Sequence, residues 1–300
     1  MAGIPFKTEF DFEYGRCDQL SPLIRRVIAN NPSPFTFTGT GTYIIGSGNV
    51  AVIDPGPLLD AHVDAILDAL GPDEQVSHIV VTHTHLDHSP ASKPLQERTK
   101  APIYSFAPPR VDAFDGPRLE EDADDNFAPD HIVAHGDLIK GDNWTLECVF
   151  TPGHMANHMC YALVEEKALF TGDHVMGWST SVIAPPDGNM NDYMQSLDLL
   201  LSRDDDIYWP THGTSIDDPK AFVRAYIEHR RGREAQIIAR LKAGDSDIRQ
   251  MVETIYADVD KRLHPAAALS VFAHIQDLLT RGEIACDGKP SLDASYQLVG

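Results

Sequence analysis

The chain has 300 residues and a formal charge of −21, from 24 Lys and Arg against 45 Asp and Glu. Its 42% hydrophobic and 23% charged content is ordinary globular material, which excludes a fibre, a coiled coil and a wholly disordered chain. A surface this acidic repels phosphate backbones and anionic lipids over much of its area.

Cys17, Cys148, Cys160 and Cys286 lie apart with no C-x-x-C pair, so neither a zinc knuckle nor a disulfide framework is indicated, and a reducing compartment fits. The opening MAGIPFKTEFDFEYGR lacks the basic start and apolar core of a secretory signal. No apolar run approaches the roughly 18 residues of a membrane span. The expectation is a soluble cytoplasmic protein with no membrane partner. Charge divides the chain: residues 1–220 hold 13 basic and 34 acidic residues, whereas 221–300 hold 11 of each. This predicts two domains, 1–220 and 221–300.

In chain order, Phe35-Thr36-Phe37-Thr38 reads as an extended run broken by Gly39-Thr40-Gly41. Thr42 to Gly46 and Val50 to Asp54 read as a hairpin around Gly48-Asn49. Asp60 to Leu70 has helical spacing, Val76 to Thr82 is strand-like, Ser89 to Thr99 is a helix and Pro102 to Ser105 a strand. Asp112 to Asp130, with eight acidic residues and one arginine, reads as an exposed loop. Strand character returns at Asp142 to Phe150, Met159 to Val164, Ala168 to Thr171 and Asp206 to Trp209, with a helix at Asn191 to Leu201. This pattern describes a layered α/β domain.

Beyond Lys220 the spacing predicts helices over Ala221 to Ala243, Asp247 to Tyr256 and Pro265 to Arg281. A β wing formed by residues 282–286 and 295–299 follows, as in a small winged-helix domain. Residues 221–242 carry Arg224, Arg230, Arg231, Arg233, Arg240 and Lys242 against Glu228 and Glu234. That is either an anion-contacting face or a solvated one. Leu263, Ala267, Val271, Ile275 and Leu278 serve either the core of this domain or a homodimer interface.

The sharpest feature is Thr82-His83-Thr84-His85-Leu86-Asp87-His88, directly after an apolar strand. His83 and His85, two apart on an extended turn, can aim at one place, and Asp87 and His88 at a second. His154, Asp173 and His212 each follow a strand-like run and lie next to glycine. Five histidines and two aspartates are enough for two divalent metal ions sharing a carboxylate and a water. Imidazole and carboxylate favour Zn2+, and the mixed set also admits Mn2+ or Fe. His62, His78, His131, His135 and His264 read as structural.

The His83-x-His85-x-Asp87-His88 run, with His154, Asp173 and His212, resembles the metallo-β-lactamase superfamily, in the form of its hydrolase branches. The pattern Tyr226-Ile227-Glu228-His229-Arg230-x-x-Arg233-Glu234-x-Gln236-Ile237 resembles the β-lactamase-like protein 2 group, whose members add a small winged-helix-like domain. The resemblance implies a four-layer αββα sandwich with the metals at one edge. Carried over, His83, His85 and His154 would hold one metal, Asp87, His88 and His212 the other, and Asp173 would bridge. Pro210-Thr211 stands where many relatives have Pro-Gly, a change that removes no ligand.

Two metals about 3.5–4 Å apart can hold a hydroxide nucleophile between them and polarise a substrate oxygen. Asp87 would help orient it, and His158 is the candidate proton donor to the leaving group, or else a hydrogen-bonding support. Met176 and Trp178, on the segment leaving Asp173, and Tyr43 are candidate pocket residues for an apolar acyl group. The acidic charge favours a small ester, thioester or lactone as substrate. The alternatives are a single-strand-specific endoribonuclease or phosphodiesterase with RNA as partner, as the resemblance implies, and a non-catalytic binding protein.

Overall fold

The computed structural model describes residues 3–107 and 123–299. The first half comprises β1 (Cys17–Gln19), β2 (Ile24–Ile28), β3 (Gly41–Ile45), β4 (Asn49–Ile53), α1 (Asp60–Asp68), β5 (Gln75–Val80), α2 (Ser92–Thr99), β6 (Ile103–Ser105) and β7 (His131–Ile132). These seven strands form one mixed sheet in sequence order, antiparallel through β4 and parallel thereafter. The second half comprises β8 (Leu138–Lys140), β9 (Thr145–Phe150), β10 (Met159–Leu163), β11 (Ala168–Gly172), α3 (Met190–Ser202) and β12 (Ile207–Pro210). Its sheet has the order β12-β11-β10-β9-β8.

Both sheets are covered on both faces, so their central strands are apolar throughout rather than alternating with polar residues. The side-chain period of two still sorts them. Tyr43, Ile45 and Ile53 enter the core between the sheets with Trp144, Tyr161 and Phe170. Ile44 and Val52 face the other way, onto Val63, Ile66 and Leu95 of α1 and α2. In the second sheet, Val149, Cys160 and Leu169 face Tyr193 and Leu197 of α3. The result is the expected four-layer αββα sandwich.

The chain ends in α4 (Pro219–Lys242), α5 (Ile248–Ile255), α6 (His264–Thr280) and the antiparallel pair β13 (Ile284–Cys286) and β14 (Tyr296–Leu298). Asp218 caps α4 by accepting from the Ala221 N–H, with Pro219 in the first turn. Helix α4 serves two cores. Phe222, Val223, Tyr226 and Ile227 pack with the second sheet, and Ile237 and Leu241 pack with α5, α6 and the β13–β14 pair. Ala267, Val271, Ile275 and Leu278 are buried in this last core, whereas Leu263 is exposed.

One sequence expectation fails, and one strand carries no sequence signal. Residues 35–38 lie in turns, and Phe37 has φ +57°. Strand β2 was hidden by Arg25 and Arg26: Arg25 pairs with Glu74 at 2.7 Å, and the buried Arg26 donates to the Gly213 carbonyl at 3.1 Å. Of the expected acidic loop, 112–122 lie outside the described residues, and the Asp124 N–H donates to the Thr84 carbonyl at 2.7 Å.

Candidate metal centre

Strands β4 and β5 run parallel in one sheet; in the other, β11 runs parallel to β12, and β9 runs the same way because both β9 and β11 are antiparallel to β10. The loops at the carboxyl ends of these five strands meet at one edge of the sandwich. They deliver Asp54, the 83–88 run, His154, Asp173 and His212. Close approach there requires glycine. Gly172 has φ +51°, and a Cβ on it would fall 2.6 Å from His158 Nε2. Gly153 has φ +139°, and a Cβ would fall 2.3 Å from the Tyr193 backbone.

All seven expected ligands are buried and converge. His85 Nδ1 lies 3.0 Å from His83 Nε2 and 3.2 Å from His154 Nε2. His212 Nε2 lies 3.0 Å from Asp87 Oδ2 and 3.4 Å from Asp173 Oδ2, and His88 Nε2 lies 3.3 and 3.6 Å from the same oxygens. The donor atoms form the groups His83–His85–His154, His83–His88–Asp173 and Asp87–His88–His212, each within 4.8 Å. The middle group shares His83 with the first and His88 with the third, and the side chains make two candidate metal clusters.

Three of the rings are anchored on their far side. His88 Nδ1 donates to Asp54 Oδ2 at 2.9 Å, His154 Nδ1 to the Val182 carbonyl at 2.8 Å and His212 Nδ1 to the Gly39 carbonyl at 3.2 Å. These bonds leave each Nε2 lone pair for the centre. His88 Nε2, His212 Nε2 and Asp173 Oδ1 are buried and make no hydrogen bond. Buried polar atoms without hydrogen bonds are costly even beside charged neighbours, and a divalent cation among them would satisfy all three.

The electrostatics fit the same reading. Burial, and then neighbouring imidazoles, push His83 well below its usual range and His85 down to about 3, so these rings stay neutral. At the other group burial works against protonation but is outweighed: Asp87, Asp173 and Asp54 hold His88 well above its usual range, and Asp173 and Asp87 raise His212 to about 10. The two aspartates are held low against burial by His88 and His212. A cation entering there replaces protons.

Asp54 was missed as a site residue. It ends the apolar β4 before Pro55-Gly56, has φ +48°, and is wholly buried. Its Oδ1 accepts from the Thr82 N–H at 2.8 Å, and its Oδ2 accepts from the Thr82 and Thr211 hydroxyls at 2.8 and 2.9 Å. Thr211, the departure from Pro-Gly, thereby ties the His212 turn to β4.

The structure places the four other expected site residues as follows. His158 is buried with both ring nitrogens engaged: Nε2 accepts from the Asp173 N–H at 3.2 Å, and Nδ1 faces the Thr151 hydroxyl at 3.0 Å. It props the Asp173 turn, the hydrogen-bonding support of its alternative reading. Tyr43 is sealed between the sheets, its hydroxyl donating to the Pro210 carbonyl at 2.6 Å, so it lines no pocket. Met176 is buried, with its backbone N–H donating to the Tyr226 hydroxyl at 3.1 Å. Trp178 is half-buried and stacks on Phe37, with ring centroids 4.7 Å apart. A Cβ on Gly213, next to His212, would sit 3.3 Å from its Cδ1.

Residues 36–212 match the metallo-beta-lactamase superfamily, and 248–291 match the beta-lactamase associated winged helix domain. The chain belongs to the metallo-beta-lactamase superfamily. It is 32% identical over 276 residues to the beta-lactamase-like protein 2 homolog of Caenorhabditis elegans, covering 89% of this chain and 88% of that protein. It is 28% identical over 260 residues to an atrochrysone carboxyl ACP thioesterase of Cryptosporiopsis sp. (strain 8999), covering 80% and 74%. A beta-lactamase domain protein from Burkholderia ambifaria has the same fold, with TM-score 0.76 at 17% identity over 95% of this chain and 94% of that one. With the fold and the donor groups in place, this superfamily member is a metal-dependent hydrolase. No helix among the described residues is long and apolar enough to cross a membrane.

Proposed function

We propose that this hydrolase cleaves a small acyl compound, with thioesters foremost and esters and lactones in the same class. The observation that carries the reading is the Trp178–Phe37 stack beside the His212 turn. Phe37 lies two residues from Gly39, whose carbonyl anchors His212, so the aromatic pair flanks the centre. Leu86, between ligands His85 and Asp87, also presents its side chain to solvent. Apolar groups at the rim suit an acyl chain better than a phosphodiester backbone.

The basic stretch of α4 supports the same choice. Arg230 is buried and donates to the Ser181 carbonyl, Arg233 lies 4.0 Å over the Tyr256 ring, and Arg240 pairs with Asp245 at 2.7 Å. Half of its basic residues are tied up internally and do not form one cationic face. The relationship to an ACP thioesterase adds support for thioester chemistry.

When bound, two divalent cations, Zn2+ by the donor types, would supply an activated water and polarise the substrate carbonyl. The protein's part is to hold three neutral imidazoles at one group, to fix His88 and His212 through their Nδ1 atoms, and to share Asp173 between the groups. The test assays metal-defined protein on an acyl thioester, ester and lactone panel and on labelled single-stranded RNA, with an Asp87→Ala, His88→Ala control. Acyl turnover lost in the control supports the reading. RNA cleavage with inert acyl substrates overturns it.

A further inference from the structure

We infer that Tyr226 and Arg230 of α4 are positioning residues for the His83–His85–His154 group, acting through the loop 174–183. The loop follows Asp173 and is held from α4 at three carbonyls. The Tyr226 hydroxyl lies 2.6 Å from both the Met176 and Ser179 carbonyls while accepting from the Met176 N–H. The Arg230 guanidinium donates to the Ser181 carbonyl. The next carbonyl along, Val182, fixes His154 through Nδ1 at 2.8 Å. Two successive carbonyls of the loop therefore link the arginine of the closing helix to a candidate metal ligand.

Packing alone does not ask for an arginine here. Arg230 is 4% exposed, its Nε has no hydrogen-bond partner, and its Cζ lies 5.2 Å from the Tyr193 ring centroid. A buried guanidinium carries a desolvation cost that an apolar side chain of similar length avoids. What it supplies is a donor fork of fixed direction, aimed at the loop carbonyl beside Val182. Tyr226 adds a second anchor four residues earlier on the same face of α4. The motif residues Tyr226 and Arg230 thus make the C-terminal helix part of the frame of the metal centre.

The test needs no substrate and stands whatever bond the enzyme cuts. Metal-free full-length protein is titrated with Zn2+ against a chromophoric chelator, and with Co2+ by its visible absorption. Variants Tyr226→Phe and Arg230→Met should each weaken one of the two bound ions by about 10–100-fold, the usual effect of losing support behind a ligand. They should also alter the Co2+ spectrum of that ion. Arg230→Lys, which can still reach one carbonyl, should recover part of the affinity. Ile237→Ala, in the other half of α4, should lower Tm and leave both ions at wild-type affinity. Wild-type affinities and spectra in both test variants overturn the inference. Should Arg230→Met fail to fold, the isosteric Tyr226→Phe decides alone.

Discussion

Asp54 Oδ2 lies 2.9 Å from His88 Nδ1 and also accepts the Thr82 and Thr211 hydroxyls, so one carboxylate joins β4, β5 and the His212 turn behind the metal centre. An amide there keeps the volume but turns an acceptor of several bonds into a partial donor. Asp54→Asn should keep the fold and lower the affinity of the Asp87–His88–His212 group by about 10–100-fold. Chelator competition checks this; wild-type affinity for both ions would count against the role given to Asp54.

His158 separates a chemical role from a supporting one. Its Nε2 already accepts from the Asp173 N–H, and burial, then neighbouring imidazoles, hold the ring well below its usual range. His158→Gln should therefore lower metal affinity about tenfold by loosening Asp173. The pH–rate profile, measured at saturating metal, should keep its shape. Loss of one limb of that profile would restore His158 as a proton donor.

His274 on α6 gives the acid side of stability. Both its ring nitrogens are buried without a hydrogen bond, and burial, reinforced by Arg230 and Arg233, lowers it to about 3. The unfolded chain, with histidine near its ordinary value of about 6.5, binds the proton that the folded chain refuses. Stability from this group is complete above pH ~6.5 and declines as pH falls toward 3. His274→Leu should flatten the decline of Tm over that window and leave Tm at pH 8 equal or higher. An unchanged acid slope would show that other groups control it.

How much of this was legible follows from the kind of signal each residue sends. The seven candidate ligands stand out because four polar, titratable side chains crowd into 83–88 directly after an apolar strand and the other three follow strand-like runs next to glycine, and the hairpin, most helices and the β13–β14 pair follow from periodicity and turn residues. Asp54 carries no such signal: one aspartate before Pro-Gly is ordinary turn chemistry, and only the fold brings it within 2.9 Å of His88. Strand β2 was concealed because Arg25 and the buried Arg26 break its apolar run, and their partners Glu74 and Gly213 lie far along the chain. His158 and Tyr43 misled for the converse reason. A histidine four residues from a ligand and a tyrosine after a Gly-rich turn look catalytic and rim-like, but both point inward to backbone groups.

Trp178 supplies the last prediction, which rests on the acyl reading. Its ring lies nearly parallel to Phe37, at 11°, and against Gly213. A substrate chain covering about 50 Å² of this surface, at ~25 cal/mol/Å², gains about 1.3 kcal/mol, or about tenfold in affinity. Trp178→Ala should thus raise KM about tenfold for long-chain acyl thioesters and little for acetyl ones, with both metal ions retained. Trp178→Phe, which keeps a ring on Phe37, should recover most of the effect. An equal loss across all chain lengths would mean that the stack supports the His212 turn and does not select the acyl group.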